Sequence, residues 1–322
     1  MADQGYDIIG DVHGSADKLE RLLDAMGYSN DDGTWKHSER QAVFVGDFID
    51  RGPRQLDSIA IPRAMVEAGS ALAVIGNHEF NAASLATKDE MGAWNRNHSE
   101  RNLDQSSAFL DAATFGSDEH TDIISWFMTL PLWLNLDGIR VVHACWYPQS
   151  MKVLEPLLSP TGSMTHEFLV EANKSGTAPY DAMEVVQKGP EVELDGYRYT
   201  DKDGHERRSG RVTWWDPAAT TLDAGIRLGN GWQVYDRDNE PVDSLPDSPL
   251  PEWVRSITPT DPDRTPVIFG HYWFRTEEGL AIIDSKAACV DYSAVKGGPL
   301  VAYRWSGESE LTSDNLVATE EK

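Results

Sequence analysis

Residues 42–52 read Ala42-Val43-Phe44-Val45-Gly46-Asp47-Phe48-Ile49-Asp50-Arg51-Gly52, a short apolar run that breaks at a glycine and opens onto two carboxylates and an arginine. A run of this length, rich in valine and bounded by turn residues, reads as a buried strand rather than a helix. The arrangement recurs along the chain. Residues 6–9 run into Gly10-Asp11-Val12-His13-Gly14, residues 71–75 into Gly76-Asn77-His78-Glu79, residues 139–142 into His143, and residues 266–269 into Gly270-His271. After the first run, Ser15 reads as the N-cap of a helix with Leu19, Leu22, Leu23 and Met26 on one face and Gly27 as its stop. Short buried strands alternating with helical stretches define an α/β fold.

Ligands of open α/β sheets gather at the carboxyl ends of the strands. Asp11, His13, Asp47, Asn77, His143 and His271 all stand there, so residues distant in sequence are expected to converge on one crevice. Carboxylate, imidazole and amide donors together suit hard or borderline divalent ions. Cys145 and Cys289 are the only cysteines, which excludes a thiolate zinc cluster and a disulfide framework. Gly10, Gly46, Gly76 and Gly270 each precede a proposed ligand, where the backbone must approach the site closely.

The chain has 322 residues, with 28 lysines and arginines against 53 aspartates and glutamates, a formal charge of −25. Such a surface repels nucleic-acid backbones and anionic membranes, so neither is expected as a partner. No apolar run approaches the ~20 residues that cross a bilayer, and the N-terminus does not read as a secretory signal. A cytoplasmic protein is expected. Residues 1–305 read as a single domain, 148–265 as an insertion or cap with a hairpin around Asp203-Gly204, and 306–322 as a polar, mobile tail.

The blocks GDVHG, GDFIDRG and GNHE, the later His143 and the GH at 270–271 occur in the order seen in the calcineurin-like metallophosphoesterases. They resemble the phosphoprotein phosphatase and bacterial symmetrical diadenosine tetraphosphatase branch. The segment from Val290 to Gly298 is similar to the Asp-Thr-Gly and Gly-Gly stretch of the same branch. The resemblance implies a four-layer α/β/β/α sandwich with a long insertion before the last metal ligand. It further implies two divalent ions, manganese foremost and iron or zinc as alternatives. Asp11 and His13 would hold the first ion, Asp47 both, and Asn77, His143 and His271 the second. A hydroxide bridging the ions would be the nucleophile, His78 the general acid held by Asp50, and Arg51 the receiver of phosphate oxygens. Further substrate contacts are sought among Arg227, Arg211, Arg275 and Lys296.

The implied activity is hydrolysis of phosphate monoesters, on phosphoprotein or a small phosphorylated molecule. Hydrolysis of a dinucleoside polyphosphate such as diadenosine tetraphosphate is the alternative, and a non-catalytic metal-binding scaffold the third reading. Gly270-His271-Tyr272-Trp273 places tryptophan where diesterase branches carry a second histidine, which counts against nuclease chemistry. Glu79 reads as a backbone-bonding residue rather than a ligand. Trp214, Trp215 and Trp232 are either core or the wall of a substrate pocket. Oligomeric state is not legible.

Overall fold

The computed structural model describes residues 5–200, 206–228, 232–257, 264–276, 279–282 and 284–320. The chain opens with β1 (Gly5–Ile9), α1 (Ala16–Ala25), β2 (Arg40–Phe44), α2 (Gln55–Glu67), β3 (Ala71–Ala73) and α3 (Asn77–Ala86). Helices α4 (Glu100–Gln105), α5 (Ser107–Ala112) and α6 (Asp118–Phe127) lead to the hairpin of β4 (Trp133–Leu136) and β5 (Ile139–Val142). After the insertion come β12 (Val267–Phe269), β13 (Ala287–Cys289), β14 (Val301–Trp305) and β15 (Leu316–Ala318).

Two sheets carry the fold. One runs β15-β14-β1-β2-β3, with β1, β2 and β3 parallel; the other runs β13-β12-β5-β4, with β13, β12 and β5 parallel. Successive side chains of a strand face opposite ways, and that alternation divides the core in two. Ile8, Val43, Val45 and Val74 share the layer between the sheets with Ile139, Val141, Ile268 and Ala288. Their neighbours Ile9, Ala42 and Phe44 turn outward to Leu19, Leu22, Leu23 and Met26. Val142, Phe269 and Cys289 face outward from the second sheet, in the same cluster as Met183 and Val186 of the insertion. Helix, sheet, sheet, helix is the layering expected. The α1 face is as read, and Gly27 stops the helix at φ 89°. Ser15 holds the N-cap position without a side-chain capping bond.

Residues 148–265, read above as an insertion, fall in two parts. Helices α7 (Pro148–Leu154), α8 (His166–Ala172) and α9 (Ala178–Lys188) bury Met151, Phe168 and Val186 in the main core. A β-rich part then follows, with β6 (Glu191–Glu193), β7 (Arg198–Thr200), β8 (Glu206–Arg207), β9 (Ser209–Arg211), α10 (Leu222–Gly225), β10 (Gln233–Tyr235), β11 (Pro241–Val242) and α11 (Glu252–Arg255). It closes on its own cluster of Val192, Leu194, Val212, Leu222, Ile226 and Leu250. β7 and β8 pair antiparallel as the hairpin reading requires, while Asp203-Gly204 lie outside the described residues.

The reading of 306–322 as a mobile tail needs correction over its described part. Ser313–Asn315 form a 3-10 turn, and β15 pairs antiparallel with β14 as an edge strand. The physical reason is Leu311, Leu316 and Val317, three apolar residues in a polar stretch that find core contacts. Thr319 then closes the end, its Oγ1 accepting the Leu300 N–H at 3.0 Å.

Candidate metal centre

The parallel strands of both sheets end at one place. Asp11 and Asp47 follow β1 and β2, Asn77 starts α3 just beyond β3, and His143 and His271 follow β5 and β12. Asp47 is the hub. Its Oδ2 lies 3.4 Å from His13 Nε2 and 3.9 Å from His78 Nε2, and its Oδ1 lies 3.5 Å from His143 Nε2. Two groups of donors therefore share it: His13, Asp47 and His78 on one side, and Asp47, His143 and His271 on the other, each within 4.8 Å. Asp11 belongs to neither group; its carboxylate accepts the His271 N–H at 3.1 Å. Asn77 Oδ1 lies 3.0 Å from His143 Nε2.

The imidazoles are fixed from behind. His13 Nδ1 meets the Ile49 carbonyl at 2.7 Å and His143 Nδ1 the Val45 carbonyl at 2.8 Å, which turns both Nε2 atoms toward Asp47. A carbonyl holding the far ring nitrogen is how metal-binding histidines are oriented. His13 Nε2 and His271 Nε2 are buried without a hydrogen-bond partner among the described residues. An orphaned buried nitrogen is costly, and two of them aimed at one carboxylate fit a bound divalent ion. Burial lowers the pKa of His13 to about 3 and also depresses His143 and His271. Neutral imidazole is the form that ligates. Burial resists ionisation of Asp47, but His143, His78 and His13 outweigh it and hold the carboxyl below its ordinary value. Asp11 is pushed up by burial and by Asp291 and Asp47, a charge surplus that cations relieve.

His78 differs from the other three. Its Nδ1 is 2.6 Å from Asp50 Oδ2. Burial opposes its charge, yet Asp47 and the bonded Asp50 raise its pKa above the ordinary value. An imidazole with a raised pKa suits a proton donor better than a ligand. Asp50 is itself placed by its backbone N–H, which donates to Gln55 Oε1 at 2.7 Å.

Glu79 holds the backbone, as its reading requires. Oε1 accepts N–H groups of Phe48 and Ile49, and Oε2 those of Asp47 and Gly76, at 2.8 to 3.3 Å. Burial and Asp47 raise its pKa to about 7 even so. Two glycines show why the motifs carry them. A Cβ on Gly76 would stand 2.2 Å from Asp47 Oδ1, and one on Gly270 would stand 2.0 Å from Asp11 Oδ1. Backbone strain gathers here as well. Among the described residues, all non-glycine positive-φ positions except Asp195 and Asn239 surround the site: His13, Asp47, Asp50, Arg51, His271, Trp273 and Ser293. Each costs about 1–3 kcal/mol, so the surrounding packing must enforce them.

Arg51 is exposed beside the His13 and His78 group, its guanidinium carbon 4.9 Å from the Trp273 ring centroid. The other substrate candidates scatter. Arg211, at the end of β9, is half-buried and close enough to His143 and His271 to add to the depression that burial causes in both. Lys296 lies over Trp273 at 3.5 Å and Arg227 over Phe274 at 4.0 Å, while Arg275 is exposed. Trp214 and Trp215 are core, fully buried, and Trp232 stacks on Tyr199 in the insertion. They still serve the site: Trp214 Nε1–H donates to the Ala144 carbonyl at 3.0 Å, and Trp215 packs edge-on against Tyr272. The loops that carry His143 and His271 are thereby braced. Asp291, noted in the sequence only as part of the Val290 to Gly298 stretch and given no role there, is buried after β13, and its carboxylate accepts the N–H groups of Trp273 and Ser293. Its signal was present, an acid just past a buried run, as at Asp11.

Residues 6–162 match the family model described as calcineurin-like phosphoesterase. That stretch is just under half of the chain, and over it the sequence is similar to the calcineurin-like phosphoesterases. Over 73 residues it is 48% identical to "Bis(5'-nucleosyl)-tetraphosphatase PrpE [asymmetrical]" of Oceanobacillus iheyensis, 22% of this chain and 29% of that protein. The alignment thus spans less than a third of that relative. At 24% identity it aligns over 96% of its length with 98% of "Bis(5'-nucleosyl)-tetraphosphatase, symmetrical" of Vibrio campbellii. Among solved structures, a protein serine/threonine phosphatase from Saccharomyces cerevisiae, with similarity to human phosphatase PP5, superposes with a TM-score of 0.52 at 13% identity. That match covers 99% of this chain and 79% of the yeast chain, and shows the fold alone. No described helix is long and apolar enough to cross a membrane.

Proposed function

We propose that the chain is a metal-dependent phosphatase that hydrolyses phosphate monoesters, of a phosphoprotein or a small phosphorylated molecule. The observation that carries this is Asp47, shared between buried His13 on one side and buried His143 and His271 on the other, with the hydrogen-bonded His78–Asp50 pair at its edge. Asp11 and His13 would hold one divalent ion, Asn77, His143 and His271 a second, and Asp47 both. Manganese is the first candidate, with iron or zinc as alternatives. Such ions supply Lewis acidity and a water of lowered pKa at neutral pH.

The chain's own residues do the rest. Arg51 offers paired N–H donors to two phosphate oxygens. His78 gives its Nε2 proton to the leaving oxygen as the ester P–O bond breaks, and Asp50 keeps the ring charged and oriented until then. Glu79 keeps the Asp47 loop from yielding. The insertion, read as a cap on a single domain, braces the His143 and His271 loops through Trp214 and Trp215 and brings Arg211 to the site.

The second reading is hydrolysis of a dinucleoside tetraphosphate, favoured by the names of the relatives aligned above. Metal analysis, with hydrolysis of p-nitrophenyl phosphate, its bis-ester and diadenosine tetraphosphate in added manganese, tests both. Two ions per chain with preference for the monoester support the leading reading; preference for the tetraphosphate supports the second. Two bound ions with no turnover would leave a scaffold.

A further inference from the structure

Trp273 is an exposed aromatic in a backbone conformation that bulky residues avoid. Its φ is 50°, and its ring is 41% exposed. Left-handed geometry at such a residue is a genuine outlier, and burial of the ring does not explain it. What enforces it is Asp291, 2% exposed, whose Oδ2 takes the Trp273 N–H at 3.1 Å. The other oxygen takes the N–H of Ser293, itself at φ 59°, at 2.9 Å. One buried carboxylate therefore fixes two strained loops against each other. The second loop is pinned again by Lys18, whose Nζ donates to the carbonyls of Ala294 and Gly298 at 2.6 Å each. Lys296 lies between those anchors, in the 3-10 turn Ala294–Lys296.

The product of this bracing is a cluster of two cations on one ring. Lys296 Nζ is 3.5 Å and the Arg51 guanidinium carbon 4.9 Å from the Trp273 centroid. The ring stands two residues past His271, at the rim of the donor cluster. In a chain of charge −25, two cations gathered on one ring beside the donor cluster are placed to receive negative charge. Arg51 alone offers the paired donors that one phosphoryl group needs. Lys296 is a second cation.

We propose that Trp273 and Lys296 form a specificity element outside the metal centre that binds a second phosphate-type anion adjacent to the scissile phosphate. Lys296 contacts that anion, and Trp273 is the positioning residue that presents Lys296 and Arg51. The inference rests on the phosphoesterase reading and narrows its substrates to those with two neighbouring phosphates. These are linked in a chain, as in ADP, where the bond broken is the terminal phosphoanhydride rather than an ester, or separate, as in a vicinal sugar bisphosphate.

The test compares kcat/KM for ADP and a vicinal bisphosphate with that for p-nitrophenyl phosphate and AMP, in manganese-loaded full-length protein. Lys296→Ala should lower the ratio for at least one doubly phosphorylated substrate about tenfold, the scale of one charge-assisted contact, and Lys296→Arg should restore most of it. The substrate that loses tells which source the element reads. Trp273→Leu should lower the same ratio, with Trp273→Phe intermediate. Ratios within about twofold of wild type in Lys296→Ala, whose side chain is exposed, overturn the proposal even if the tryptophan variants fail to fold. Absence of turnover for every ester in wild type overturns the phosphoesterase reading and this inference with it.

Discussion

Replacing Gly76 by alanine tests the geometry of the site with a single methyl group. Gly76 sits at φ −93° and ψ 174°, extended backbone that any residue adopts, so the change introduces no backbone strain. The methyl would stand 2.2 Å from Asp47 Oδ1, 2.4 Å from the Asp47 nitrogen and 2.9 Å from Glu79 Oε2. Real contacts of this kind are essentially never under 3.0 Å, so the Asp47 carboxylate or its backbone must retreat by roughly 1 Å. That shift falls on the atom 3.5 Å from His143 Nε2. A displacement of about 1 Å of a reacting or ligating group costs on the order of a hundredfold in rate, and the overpacking costs about 1–3 kcal/mol of stability. We expect kcat/KM for p-nitrophenyl phosphate to fall at least a hundredfold at saturating manganese, with melting lowered but cooperative. Gly92→Ala is the control. Gly92 has φ 83° and open space around its Cβ position, so alanine there is strained yet far from the chemistry, and activity should persist. Full metal content with activity within about threefold of wild type in Gly76→Ala would refute the close-approach argument.

Three further substitutions probe the same frame. Glu79→Gln puts an amide NH2 against two of four backbone N–H groups, leaving donors buried and unsatisfied, and should cost about 2–5 kcal/mol in urea unfolding; an unchanged midpoint would contradict the role given to Glu79. Asp50→Asn removes a partner that raises the His78 pKa. Activity that depends on protonated His78 declines as pH rises through that pKa, so the alkaline limb should move to lower pH. The loss, about ten- to a hundredfold, should be larger for phenyl phosphate than for p-nitrophenyl phosphate, whose leaving oxygen needs less help; equal losses would remove His78 from the acid role. Manganese at a hundred times its dissociation constant should stabilise wild type by about 2.7 kcal/mol per site, read as a rise in melting temperature that chelator reverses. Asp47→Asn should abolish most of that rise and the activity together, and retention of both would displace Asp47 from the centre.

How much of this was legible in the sequence depended on whether a residue's role is local. Strand followed by a ligand-type residue is a local pattern, with a glycine between them in four of five cases, and the five pointed to a convergence at Asp11, Asp47, Asn77, His143 and His271. The glycines were legible for the same reason, since close approach to a neighbouring carboxylate leaves room for no side chain at Gly76 or Gly270. The insertion was opaque because its order comes from contacts far along the chain. Val192 and Leu250 share one small core, and no periodicity within either stretch announces it. The end of the chain misled because three apolar residues among polar ones are too sparse to read as a strand, until β14 offers an edge to pair with.

The same distinction explains Trp273. In sequence it was notable only as the residue standing where another histidine might be, a negative observation about diesterase chemistry. Its environment is assembled from three separate segments: Arg51 after β2, Asp291 and Lys296 in the stretch after β13, and Lys18 on α1, which holds that stretch. Such a constellation has no sequence spacing to be recognised by. It does have a conformational mark, because Trp273 and Ser293 both occupy left-handed backbone that their side chains do not favour. Strain at an exposed residue persists only where the surroundings over-determine it. Asp291 supplies that constraint from below, and two cations collect above it. The proposed metal ligands would account for cleavage of a phosphate here, and the strained rim is where a choice among phosphates would be made.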